Sequence, residues 1–197
     1  MSYTLFKRAF ALLILSSSLL FANNFILKND NILPQKTVDK INEIGNELAS
    51  KTGVKVFVVV IKSMEGKKIK EYESAIAKKL QPPFVLLTLS LQDKKVDIVQ
   101  NPKNLVDAET ILSPLPWKGT IIPILTAHFK NPHAAVEAAI LNGYSEIAEQ
   151  IADKKQIKLK SAIGNTNRNI YYWMRILFYS IIALILGNFI YRRFIKR

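Results

Sequence analysis

The sequence predicts an α/β layered domain with a mixed sheet, followed by a C-terminal transmembrane helix. Three observations carry that expectation. Two short apolar runs, the β-branched 54–61 and the leucine-rich 84–91, alternate with stretches of helical periodicity, the order expected of layered α/β folds. The second run is followed, after the break Gln92-Asp93-Lys94-Lys95, by an alternating run at 96–100, and two strands joined so briefly must pair antiparallel. Residues 176–191 contain no charged side chain, and Tyr171-Tyr172-Trp173 extends that stretch to roughly the 20 residues that a bilayer core requires.

The chain opens with Lys7-Arg8, an apolar run from Ala9 to Leu15 and the small Ala22, the pattern of a secretory signal peptide over 1–22. Leu20, third before the cut, leaves an uncleaved anchor as the alternative. In the exported domain, 23–153, Pro34 suits a first helical turn and Val38, Ile41, Ile44 and Leu48 form one helical stripe. That stripe ends at Gly53, which suits a left-handed cap. The run 54–61 is apolar on both faces, as a central strand is. Ile69, Tyr72, Ala75, Ile76 and Leu80 form a second helical stripe, closed by Pro82-Pro83. After the hairpin come a short helix at 106–112, another at 120–129, and a long one begun by Asn131 as cap and Pro132 in the first turn, with Val136, Ile140, Ile147 and Ile151 on one face. Residues 154–169 are polar and lack a periodic apolar face, so they are expected to be a tether. The span 170–191 is expected to cross the membrane, and the basic tail 192–197 to be cytoplasmic by the positive-inside rule. The localisation expected is the cytoplasmic membrane, single-pass, with the main domain extracytoplasmic (periplasmic).

Charge excludes one class of function. The formal net charge is +13, yet seven of the 28 Lys and Arg flank the two apolar ends. Residues 23–169 hold 21 against 15 Asp and Glu, a net of +6, and Arg168 is the one arginine among them. Nucleic-acid recognition favours guanidinium forks, so no nucleic-acid partner is expected. A lysine-rich domain beside anionic headgroups is expected to lean on its own membrane. With no cysteine, disulfides, thiol catalysis and thiolate metal sites are excluded.

The order of a signal peptide, a helix ending in Lys51-Thr52-Gly53-Val54-Lys55-Val56-Phe57-Val58-Val59-Val60, then Val85-Leu86-Leu87-Thr88-Leu89-Ser90, Asp93-Lys94-Lys95-Val96, Val106-Asp107-Ala108 and a C-terminal anchor resembles the TPM-domain family. The resemblance covers roughly 32–152. It implies a Rossmann-like αβα sandwich, and for some members an acid phosphatase or calcium-binding role with acidic residues near the strand ends. Asp93 and Asp107 are the positions carried over. The chain departs from the family's pattern in two places: Gln81-Pro82-Pro83 stands where members have a long glycine- and asparagine-rich loop, and Asn101-Pro102-Lys103 where they have Gly-Tyr-Gly.

The candidate site residues each have two readings. Asp93, before Lys94 and Lys95, is a turn residue or an oxygen ligand. Asp97 is expected on the solvent face of its strand. Asp107, with Glu109 two residues on, is a helix cap or a metal ligand. His128 and His133, five apart across Pro132, lack the spacing that puts two imidazoles on one helix face. Two functions follow. The first is a non-catalytic, membrane-tethered domain that binds a protein partner in the assembly or maintenance of an envelope complex, without a cofactor. The second is a metal-dependent phosphatase acting on extracytoplasmic phosphoesters, with Asp93, Asp107 and Glu109 holding a divalent cation such as calcium or magnesium.

Overall fold

β2 (Lys55–Ile61) and β3 (Phe84–Ser90) are buried on both faces along most of their length, which is why neither alternates in sequence. They run parallel in a constant register with Val58 opposite Leu87. In the computed structural model, which describes residues 24–127, 131–164 and 176–188, these two strands form the centre of a four-stranded mixed sheet. β4 (Lys95–Asn101) returns antiparallel beside β3, placing Thr88 opposite Asp97 and Leu87 opposite Ile98. The other edge is β1 (Ile26–Asn29), parallel to β2, giving the order β1-β2-β3-β4. β1 was not expected: four residues, two of them exposed, are too few to display a strand period.

One face of the sheet is covered by α1 (Gln35–Thr52) and α5 (Pro132–Lys154), the other by α2 (Ile69–Ala77). The layers are therefore αβα, as the resemblance implies, around the mixed sheet that the sequence predicts. α1 begins just after Pro34 and ends at Gly53, whose φ of 74° lets its N–H close on the Ala49 carbonyl. The Asn131 side chain caps α5 by accepting the His133 N–H at 2.9 Å. α3 (Ala108–Ile111) and α4 (Ile121–Thr126) are shorter than the stretches expected for them. α4 packs on α5, where a Cβ on Gly143 would lie 2.4 Å from the Ile121 side chain. Gly45, in the middle of α1, has a similar reason. The Tyr144 hydroxyl passes it to donate to the Val56 carbonyl at 3.0 Å, and a Cβ there would stand 2.4 Å from that oxygen. A mid-helix glycine costs about 1 kcal/mol, and here it lets the largest fully buried side chain link α5 to β2.

Residues 155–164, the first part of the expected tether, lie against the domain. Ile157 and Leu159 pack on the core, and the Glu47 carboxylate of α1 accepts the N–H groups of Lys160 and Ser161, the Ser161 hydroxyl and the Lys51 ammonium. Burial works against that charge, but donors from Lys160, Lys51 and Ser161 outweigh it and hold the Glu47 carboxyl down at about 2. Beyond this strap, the described part of the expected 170–191 span is a helix over 176–188, α6. It is apolar on every side and exposed throughout, with Leu177, Phe178, Leu184 and Ile185 each more than 60% accessible. Among the described residues no helix is long and apolar enough to cross a membrane. The signal peptide, the remainder of the expected span and the basic tail lie outside the described residues.

Candidate functional site

Acidic side chains gather at three places on the sheet, and each is built by a different local requirement. The first is the edge where the parallel strands end. β1 runs into Asp30, whose Oδ2 accepts the Lys62 N–H just past β2 at 2.9 Å. β3 runs into the turn that holds Asp93. Asp93 Oδ2 accepts the Ser90 hydroxyl at 2.5 Å, the Met64 N–H at 2.7 Å and the Ser63 hydroxyl at 3.4 Å. The Ser90 hydroxyl and then the Met64 N–H hold the Asp93 carboxyl below the usual carboxylate range, with Ser63 and Lys95 adding to them. The Asp93 carboxylate thus ties the hairpin turn to the end of β3 and to the loop after β2.

The second place is the face under α2. Asp97, expected to face solvent, instead lies on this face with its side chain 17% exposed, its Oδ2 against the Lys70 ammonium. Strand pairing explains the difference: Asp97 is opposite Thr88, which shares the α2 side of β3 with Phe84 and Leu86. Below them Glu73 is wholly buried. Thr88 and Asp97 stand next to it, yet neither Glu73 oxygen nor the Thr88 hydroxyl completes a hydrogen bond of good geometry. Burial, and then the Asp97 charge, push the Glu73 carboxyl up to about 8, so it is neutral at pH 7. The bond to Asp97 raises the Lys70 pKa. Glu73 and Lys70 were missed by the sequence reading, although Ile69, Glu73, Ile76 and Leu80 follow one helical stripe and place Glu73 on the buried side.

The third place follows β4. Asp107 caps α3, accepting the Thr110 N–H at 3.0 Å and its hydroxyl at 2.6 Å. The Thr110 hydroxyl, then its N–H, hold the Asp107 carboxyl below the usual carboxylate range, with the Lys118 and Lys154 charges adding to them. Glu109 is exposed on the same short helix. The Gln100 side chain, at the far end of β4, accepts the Val106 N–H at 2.9 Å and donates to the Val106 carbonyl at 3.1 Å, so Asp107 is held at that end while Asp93 precedes the start of the strand. A seven-residue strand rises roughly 20 Å, whereas the oxygens of one calcium or magnesium site lie about 2.0–2.6 Å from the ion. The two carboxylates cannot share a metal in this fold. Among the described residues no group of three or more His, Asp or Glu side chains could hold one. His133 and Glu137 line an open depression of about 410 Å³ between the starts of α1 and α5, and His128 lies outside the described residues.

The family model of the TPM domain matches residues 26–150. The chain belongs to the TPM domain family. No curated protein matches it. Among solved structures, the N-terminal domain of the cg2496 protein from Corynebacterium glutamicum, determined in solution by NMR, aligns at 14% identity and a TM-score of 0.49. That alignment covers 76% of this chain and 88% of that one. The matched span runs from β1 into α5, so this TPM domain includes every described strand and all three acidic places. Of its two carried-over positions, Asp93 accepts from Ser63, Met64 and Ser90, and Asp107 accepts from Thr110 at the start of α3.

Proposed function

We propose that this TPM domain is a membrane-tethered, extracytoplasmic, non-catalytic module that binds a protein partner in the assembly or maintenance of an envelope complex. The single observation that carries the reading is the separation of Asp93 and Asp107 by the length of β4, with each carboxylate engaged by local donors. Support for the tether comes from α6, since a helix apolar all round with no polar face is suited to lipid rather than to water. Support for export comes from the signal-like pattern of 1–22 and the four cations in 192–197. The test is hydrolysis of a generic phosphoester by the full-length protein with calcium, magnesium or manganese. No turnover above the blank is expected. Turnover that Asp107→Ala abolishes would establish the metal-dependent phosphatase instead. Crosslinking in intact membranes followed by mass spectrometry is expected to capture one recurrent envelope protein, and capture of none would count against the binding role.

A further inference from the structure

The loop between α3 and α4 is built to hold two apolar side chains in water. Pro114 and Pro116 fix φ and remove two backbone donors around Leu115. The Leu115 carbonyl accepts both the Lys118 N–H at 2.9 Å and the Gly119 N–H at 2.8 Å, closing a tight turn. Gly119 is required there, because a Cβ would fall 1.6 Å from the Ser113 carbonyl oxygen. The turn leaves Trp117 63% and Leu115 42% accessible, two of the four large apolar side chains exposed in the described part of the domain. A closed, proline-braced turn does not leave a tryptophan outside for want of order.

Lysines lie at the turn and along the edge that leads to it. Lys118 follows Trp117 directly, and its charge and that of Lys154 both act on Asp107. Lys154 donates to the Asn104 carbonyl at 2.6 Å, next to the exposed Lys103. Of the acidic side chains here, Asp107 is engaged by Thr110, Glu146 is buried and accepts from Gln150, and Glu109 is exposed on α3. Tryptophan among lysines is the composition of a membrane–water interface, where the ring sits at headgroup depth and the ammonium groups meet anionic lipid. The tether is short. Five residues, 165–169, separate Gly164 from the expected span at 170, and fully extended they reach at most about 18 Å. So short a tether keeps the domain close to the bilayer, where exposed apolar and cationic side chains gain most by meeting it. Tethering also makes the encounter intramolecular, so a weak contact suffices.

We propose that the Leu115–Trp117 turn, with Lys103, Lys118 and Lys154, docks the domain on the anionic headgroups of the bilayer that anchors it. This rests on the tethered reading above. The chain has no cysteine, so Leu115→Cys carries a single spin label at an exposed position without further substitution. The full-length protein is reconstituted in vesicles of phosphatidylcholine alone or with phosphatidylglycerol, and flotation in alkaline carbonate first establishes integral insertion. Among floated protein, accessibility of the label to a water-soluble nickel chelate should fall several-fold in the phosphatidylglycerol vesicles, and Lys118→Gln with Lys154→Gln should reverse the fall. Equal accessibility in both lipids overturns the docking while leaving the tether intact. Failure to float overturns the tethered reading itself. Docking on an acidic protein instead of lipid would give the same equal accessibility in these protein-free vesicles.

Discussion

The two faces of the sheet are covered differently. α1 and α5, 18 and 23 residues long, bury one face under a continuous apolar core with Tyr144 bonded through to β2. The other face is covered by the nine residues of α2, and beneath them lies a carboxyl that must be neutral to stay there. The first layer depends on area and shape; the second depends also on a proton. Stability is therefore expected to be unevenly distributed, with α2 the layer that opens at lower free energy.

That contrast breaks first at β3, whose neighbouring leucines point to opposite faces. Leu87→Ala, under α1 and α5, should destabilise by about 3–4 kcal/mol in urea unfolding, and Leu86→Ala, under α2, by about 2–3 kcal/mol, because the thinner cover collapses more readily into the space. Equal losses would remove the distinction between the layers. The second test is pH. The Glu73 pKa is raised in the fold from 4.5 to about 8, so the folded state binds the proton more tightly. Stability therefore declines as pH rises from about 4.5 to about 8. Glu73→Gln should match the wild type near pH 4 and be the more stable of the two by several kcal/mol at pH 9. A variant less stable than wild type at pH 9 would refute the neutral carboxyl.

Glu47 on the opposite face has the reverse sign. Its pKa is lowered from 4.5 to about 2, so its contribution is present above pH 4.5 and is lost as pH falls toward 2. Glu47→Gln should cost about 1–2 kcal/mol at pH 7, little at pH 2, and should increase hydrogen exchange at Lys160 and Ser161. The smallest effect is expected at Lys70, whose side chain is 73% exposed. Lys70→Ala should change stability by no more than about 0.5 kcal/mol.

What could be read from the sequence follows the same physics. The caps at Gly53 and Asn131 and the buried strands were legible because each is specified within a few residues. The register placing Asp97 opposite Thr88 was implicit in a short hairpin, yet that face could be assigned to the interior only once α2 was known to cover it. β1 was too short to show a period. The strap was not legible, because the carboxylate that holds Lys160 lies 113 residues earlier in the chain. For the acidic positions, Asp93 and Asp107 were found through the resemblance to the family's pattern, while their separation came only from seeing β4 between them and Gln100 holding Val106 at its far end.

The central claim, that these two carboxylates serve the backbone rather than a shared ion, is tested most directly by titrating calcium and then magnesium into the ¹⁵N-labelled full-length protein in detergent micelles. Amide shifts at Met64, Asp93, Asp107 and Thr110 would be followed, since these amides report on both carboxylates. The account predicts no saturable shift at any of the four. Saturable shifts at both ends of β4 that vanish together in Asp93→Asn and in Asp107→Asn would contradict it.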